Sequence, residues 1–282
     1  MTRPIDHHSS YIYTAHKAAL SAGGLNKVMG KRIELIGAVV TLVFLACADG
    51  WALDQSPSQA AAKAPAAQAP VHPHTIGVYG DSLGDGVWGG LYFMVKAHPK
   101  DALLRRTKVG TGLTTPDFPG WMQDFTASLD SDHITNAVIM FGANDQQSIR
   151  DENHKGFFFK TPGWTRVYAS RVNAVMAETA KRHIATVWIG LPIMRSDDLT
   201  VGAAFLNDLF AKAATTNGAV FLALDATFKG SDGKYATHLP DASGRMRQIR
   251  ADDGVHFTPY GYQIIATKVY AIIGGDPARS AN

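Results

Sequence analysis

From Thr75 onward, short unbroken apolar runs alternate with longer stretches in which apolar residues recur every three or four positions. The first kind predicts strands covered on both faces and the second predicts amphipathic helices, so the alternation predicts a parallel α/β sheet. Thr75–Gly80, with Ile76, Val78 and Tyr79, reads as a first strand that breaks where Gly80 lets the backbone turn sharply. Leu83, Val87, Leu91, Met94 and Val95 then recur at helical spacing. Leu103–Val109 predicts a second strand, polar enough to lie near an edge, with Gly110-Thr111-Gly112 as a turn after it. A helix from about Pro119 to Leu129 leads to the apolar run Ala137–Phe141, which ends in Gly142-Ala143-Asn144-Asp145.

An insertion follows from Gln146 to about Thr161, polar at first and then Phe157-Phe158-Phe159. A helix from Trp164 to Arg182 carries Val167, Val172, Val175 and Met176 on one face. Thr186–Leu191 predicts the fourth strand, Thr200–Asn217 a helix, and Val220–Leu224 the fifth strand. Lys229–Gln248, rich in Gly, Asp and Lys, reads as a long surface excursion beside the site, and a last helix runs from Pro259 to Ile273. The expectation is one domain over residues 75–275, with five parallel strands and helices on both faces, and a tail over 276–282.

Upstream the pattern changes. Lys31-Arg32 precede an uncharged apolar run from Leu35 to Ala48, too short for a comfortable membrane span but suited to a signal-peptide core. Ala46-Cys47-Ala48 matches a signal-peptidase site that would leave Asp49 as the new N-terminus. Two alternatives stay open. Residues 29–53 could be retained as an inner-membrane anchor, or Cys47 could be lipidated, although Phe44 and Leu45 fit a lipobox poorly. Met29 stands just before the basic pair, so residues 1–28 read as a mis-assigned start or a cytoplasmic extension. Residues 54–74, Ala-, Gln- and Pro-rich, have little to bury and read as a tether. A periplasmic or exported location is the expectation.

Charge changes the picture little. The chain of 282 residues has a formal charge of +3, but five basic residues stand against two acidic ones before residue 35, leaving 22 of each beyond it. No global electrostatic case for a nucleic-acid partner exists. The single cysteine, Cys47, excludes an internal disulfide framework and a cysteine-based zinc cluster. His72 and His74 sit in the tether, so a metal site with Ser82 is not expected, and no cofactor is required.

The candidate chemistry lies at the predicted strand ends. Ser82 follows the first strand, Gly112 the second and Asn144 the third, while Asp253-Gly254-Val255-His256 precedes the last helix. In a doubly wound sheet these loops open on one edge, where ligands bind. Each residue has a plainer reading. Ser82 and Asn144 could be helix caps, Asp253-Gly254 an ordinary turn, and His256 a solvated or core histidine. Together they meet the needs of acyl transfer: His256 as base for the Ser82 hydroxyl, and Asp253 to hold the imidazole. Ser82 N–H, Gly112 N–H and the Asn144 amide would be donors to an oxyanion. Asp252 could replace Asp253, and Gly110 could replace Gly112.

Gly80-Asp81-Ser82-Leu83, Gly112, Gly142-Ala143-Asn144-Asp145 and Asp253-Gly254-Val255-His256 come in the order of the nucleophile, second, G-x-N-D and D-x-x-H blocks of the SGNH/GDSL hydrolase superfamily. The chain resembles that superfamily from about Thr75 to Gly274. The resemblance implies a flavodoxin-like three-layer α/β/α sandwich with strand order 2-1-3-4-5, and ester hydrolysis or acyl transfer. The element Arg250 to Thr258 resembles that of an exported proteobacterial branch and points to envelope carbohydrate work. A serine esterase or acyltransferase on O-acyl (above all acetyl) groups of an envelope carbohydrate is the leading expectation. A glycosidic-bond hydrolase or transglycosylase, using Asp and Glu in the same crevice, is the first alternative. A silent glycan-binding or assembly module is the second. Trp88, Trp121, Phe157–Phe159 and Trp164 could line a sugar face, or pack in the core.

Overall fold

The structure is a computed structural model that describes residues 73–274. The export segment, most of the tether and the tail after Gly274 lie outside the described residues. In chain order the elements are β1 (Thr75–Gly80), α1 (Ser82–Lys96), β2 (Ala102–Thr107), α2 (Phe118–Ser131) and β3 (Asn136–Met140). A small hairpin follows, β4 (Ile149–Arg150) with β5 (Gly156–Phe157), and then α3 (Pro162–Lys181), β6 (Ala185–Ile189), α4 (Asp197–Asn217) and β7 (Val220–Leu222). A one-turn α5 (Asp225–Phe228), a second hairpin of β8 (His238–Pro240) and β9 (Met246–Gln248), and α6 (Pro259–Ile273) complete the described chain.

The main sheet is parallel throughout, in the order β2-β1-β3-β6-β7. Counting its own strands alone, that is the expected 2-1-3-4-5. Its central strands are buried on both faces: Ile76, Val78, Ala137, Val138, Ile139, Met140, Trp188 and Ile189 have no exposed surface. That explains why they read as continuous apolar runs rather than as alternating ones. β2, at the edge, carries Arg105 and Arg106, which pair with Asp85 and Asp132. Helices α1 and α6 pack together on one face, and α2, α3 and α4 contact one another in turn on the other, as right-handed crossovers require.

Two expectations are refined. The insertion and the Lys229–Gln248 excursion each hold a hairpin of two- or three-residue strands. Strands that short cannot display an alternating pattern, so periodicity misses them. The helix before β7 begins at Asp197 rather than Thr200, because Ser196 caps it by accepting from Leu199 N–H.

Candidate active site

β1 ends at Gly80, whose φ of +156° and close approach to the Met140 carbonyl exclude a side chain: an added Cβ would lie 2.2 Å from that oxygen. The turn delivers Asp81, not Ser82, to the N-cap of α1, where Asp81 Oδ1 accepts from Leu83 N–H at 2.9 Å. The capping duty therefore falls on its neighbour. Ser82 becomes the first residue of the helix, with its hydroxyl half-exposed at the carboxyl edge of the sheet. As the first helical residue it has no intrahelical acceptor for its N–H.

The Asp253–His256 segment is the tip of a tight antiparallel loop. Arg250 bridges Phe257, Ala251 N–H donates to the His256 carbonyl, and Gly254 takes up a φ of +78° at the bend. A Cβ at Gly254 would also stand 2.5 Å from that of Arg195, so only glycine fits. The turn folds the Asp253 carboxylate back on its own backbone. Its Oδ1 accepts from Val255 N–H at 2.8 Å and His256 N–H at 2.9 Å, and its Oδ2 lies 2.6 Å from His256 Nδ1. Partial burial works against its charge. The two N–H groups and the His256 ring outweigh that, holding the carboxyl at about 2.

An ionised carboxylate is only an acceptor, so it selects the tautomer with the proton on Nδ1 and leaves the Nε2 lone pair free. Ser82 Oγ lies 2.7 Å from that Nε2 and donates its proton there. Ser82, His256 and Asp253 are thus brought into one hydrogen-bonded line across 174 positions of sequence. Asp252 is not part of it: its carboxylate takes Gln248 Nε2 at 3.3 Å, and its carbonyl takes Arg195 at 2.6 Å.

Gly112 is buried after β2 and bears no hydrogen bond on its N–H among the described residues. The next two N–H groups, of Leu113 and Thr114, donate to the Asp145 carboxylate, as do the Thr114 and Tyr168 hydroxyls. Asp145 therefore holds this turn from behind, and a Cβ on Gly112 would lie 2.1 Å from its Oδ1. Gly110, by contrast, is exposed, with open space around it. The Asn144 amide donates one N–H to the Thr111 carbonyl at 2.9 Å, which joins the second and third strand-end loops and leaves its other N–H for a ligand.

Three charged residues at this edge had no role assigned to them by the sequence. Asp81 and Asp145 are fully buried. Burial first, and then the negative charge of Asp145, pushes Asp81 up to about 7, and burial likewise raises Asp145. Arg171, almost buried on α3, donates to the carbonyls of Leu113, Thr115 and Arg150, stapling the Gly112 loop to the insertion. Its signal was available: Tyr168, Arg171, Val172 and Val175 share the buried stripe of α3, where a cation needs partners. Between the two stapled loops lies a cleft of about 480 Å³, lined by Lys108, Thr111, Thr115, Gln147, Ser148 and Arg150 among others, with Gly112 contributing to its wall. Trp121 and Trp164 are not in it. Trp164 is fully buried and stacks on Tyr168, and Trp121 stacks on Phe125.

The sequence profile of a family described as "Protein of unknown function (DUF459)" matches residues 75–271. The chain belongs to the DUF459 family. No curated protein matches it. Among solved structures, this DUF459 domain is similar to a GDSL-like lipase of Bacteroides thetaiotaomicron, at 14% identity and a TM-score of 0.51, over 73% of this chain and 92% of the other. It is also similar to a Bacteroides fragilis protein provisionally described as an acylhydrolase, at 15% identity and a TM-score of 0.51, over 73% and 88%. At these identities the likeness is one of fold. The DUF459 domain has the SGNH/GDSL hydrolase fold that its four motifs led one to expect.

Proposed function

We propose that this DUF459 domain is a serine esterase or acyltransferase acting on short O-acyl groups, acetyl above all, of an envelope carbohydrate. The observation that carries the reading is the line from Asp253 through His256 to Ser82, at 2.6 and 2.7 Å. His256 Nε2 takes the Ser82 proton as Oγ attacks the ester carbonyl, and Asp253 stabilises the imidazolium. The N–H groups of Ser82 and Gly112 and the second Asn144 N–H receive the oxyanion. The imidazolium then gives its proton to the departing alcohol, leaving an acyl-serine. His256 next deprotonates water for hydrolysis, or a sugar hydroxyl for transfer.

The cleft supports a polyhydroxyl substrate over a lipid. Its lining includes Gly112 but not Ser82, Asn144 or His256. It is mostly polar, with Val109 and Pro116 as its apolar part, which suits an oxygen-rich alcohol better than a long acyl chain. The glycosidic alternative gains nothing from Asp81 and Asp145, because both carboxylates are sealed behind the loops and engaged there. Residues 29–53 fit delivery to the periplasm, released or anchored, with the tether giving reach. The test is turnover of 4-nitrophenyl acetate, labelling by a serine-directed fluorophosphonate, and release of acetate from acetylated glycans. Wild type is expected to turn over and to be labelled at Ser82, and Ser82→Ala to do neither. Equal turnover by the two would remove the esterase reading.

A further inference from the structure

Arg250 is fully buried, yet among the described residues no carboxylate pairs with it. Its guanidinium instead spends its donors on backbone carbonyls. Nη2 reaches Val255 at 2.8 Å and Gly254 at 3.4 Å, Nε reaches His256 at 3.3 Å, and Nη1 crosses to Ile193 at 2.8 Å. The first three carbonyls belong to the loop that carries His256, and the fourth belongs to the segment following β6. The cation lies 4.4 Å from the Phe257 ring centroid and 5.0 Å from that of Tyr235, so two aromatic rings flank it.

Burying a cation without a counter-ion is costly, and the cost is recovered only when every donor finds a well-placed acceptor. A buried aliphatic side chain would fill the space more cheaply. What an aliphatic side chain cannot do is hold three consecutive carbonyls at fixed angles. The planar fork does so, and ties them to a neighbouring segment. The same loop is held by a second arginine as well: Arg195 N–H donates to the Gly254 carbonyl at 3.0 Å, and its guanidinium donates to the Asp252 carbonyl and stands 5.6 Å from the Tyr235 ring. Both arginines thus stand near the Tyr235 ring, and both donate to the Gly254 carbonyl at the bend.

We propose that Arg250 is a positioning residue for His256, its guanidinium setting the orientation of the 254–256 backbone and through it the approach of Nε2 to the Ser82 hydroxyl. The proposal rests on the esterase reading above. It assigns Arg250 no contact with substrate, so its loss acts on the chemical step and leaves binding in the cleft alone.

The experiment compares wild type, Arg250→Met, Arg250→Lys and Ser82→Ala, each as the full chain, with the rates of the first three expressed per serine titrated to completion by the fluorophosphonate and that of Ser82→Ala per mole of folded protein. Arg250→Met is expected to lower kcat by about 100-fold, the size of effect that an ångström of misplacement produces, with KM unchanged within about twofold. Added guanidinium ion should restore part of that loss. Arg250→Lys, which keeps the charge but not the fork, should lower kcat by about tenfold. If Arg250→Met does not fold, the lysine variant decides. Wild-type kcat per titrated serine in either folded variant overturns the proposal. So does a loss confined to KM. Full activity in Ser82→Ala would instead overturn the underlying esterase reading, and that outcome does not depend on Arg250.

Discussion

At the scale of single residues, the two glycines after β2 separate by their surroundings. A methyl group on Gly112 meets the Asp145 carboxylate at 2.1 Å, so the turn has to shift. Gly112→Ala is expected to lower kcat by about 10²–10³, the usual effect of losing one oxyanion donor, with KM little changed. Gly110 has a φ of +74° with nothing near it. Gly110→Ala should therefore cost about 1–2 kcal/mol of stability from the left-handed backbone, and leave kcat near wild type. Steady-state kinetics and denaturant melts on the two variants check both outcomes, and a reversed pattern would move the donor to Gly110. Likewise Asp253→Asn should lower kcat by about 10⁴ while Asp252→Asn leaves it within about twofold, because only the first meets the imidazole. The D-x-x-H spacing pointed to Asp253, but Asp252 was not excluded until the turn geometry was in hand.

At the scale of elements, the carboxyl edge of the sheet is held by buried charges that reach backbone atoms as well as by apolar residues such as Leu113, Phe141 and Leu191. Arg171 on α3 is the clearest case. Arg171→Ala would leave the carbonyls of Leu113, Thr115 and Arg150 without their donor, and a loss of about 3 kcal/mol in a urea melt is expected. The β2-edge pair of Arg105 and Asp85 makes the contrast. Although its contacts are short, Arg105 is half-exposed, so Arg105→Ala should cost under about 1 kcal/mol. The five long helices and the five main strands were legible because their apolar periodicity is local and long enough to count, and the one-turn α5 is too short to show one. The two hairpins were not, being held by a few backbone bonds and by contacts with distant segments. The cap of α1 stayed open for a related reason: Asp and Ser both suit an N-cap, and only the observed turn assigns it to Asp81.

At the scale of the whole molecule, the buried carboxylates tie stability to pH. Burial raises Asp81 to about 7, so the native state keeps a proton that the unfolded chain releases near pH 4. Its contribution is complete below that lower value and is lost as pH rises through 7, and Asp145 acts in the same direction. Asp253, held at about 2, has the opposite sign, its contribution fading only as pH falls toward 2. Denaturant melts at pH 5 and pH 8 should therefore show wild type less stable at pH 8, by on the order of a few kcal/mol, and Asp81→Asn should reduce that difference. An unchanged difference in the variant would place the titration elsewhere.

Order, type and approximate length of the five main strands and the five long helices were determined by the sequence alone, because strand and helix periodicities are written in neighbouring residues. So was the placement of Ser82, Gly112, Asn144 and His256 at ends of those elements. Which aspartate meets the imidazole, which of the two glycines is buried against Asp145, and which arginines lock the loops were decided only by the tertiary structure. Those choices turn on the angle at which loops far apart in sequence come together. The angles are set by contacts such as Arg250 to Ile193 and Asp145 to Thr114, which no local pattern contains.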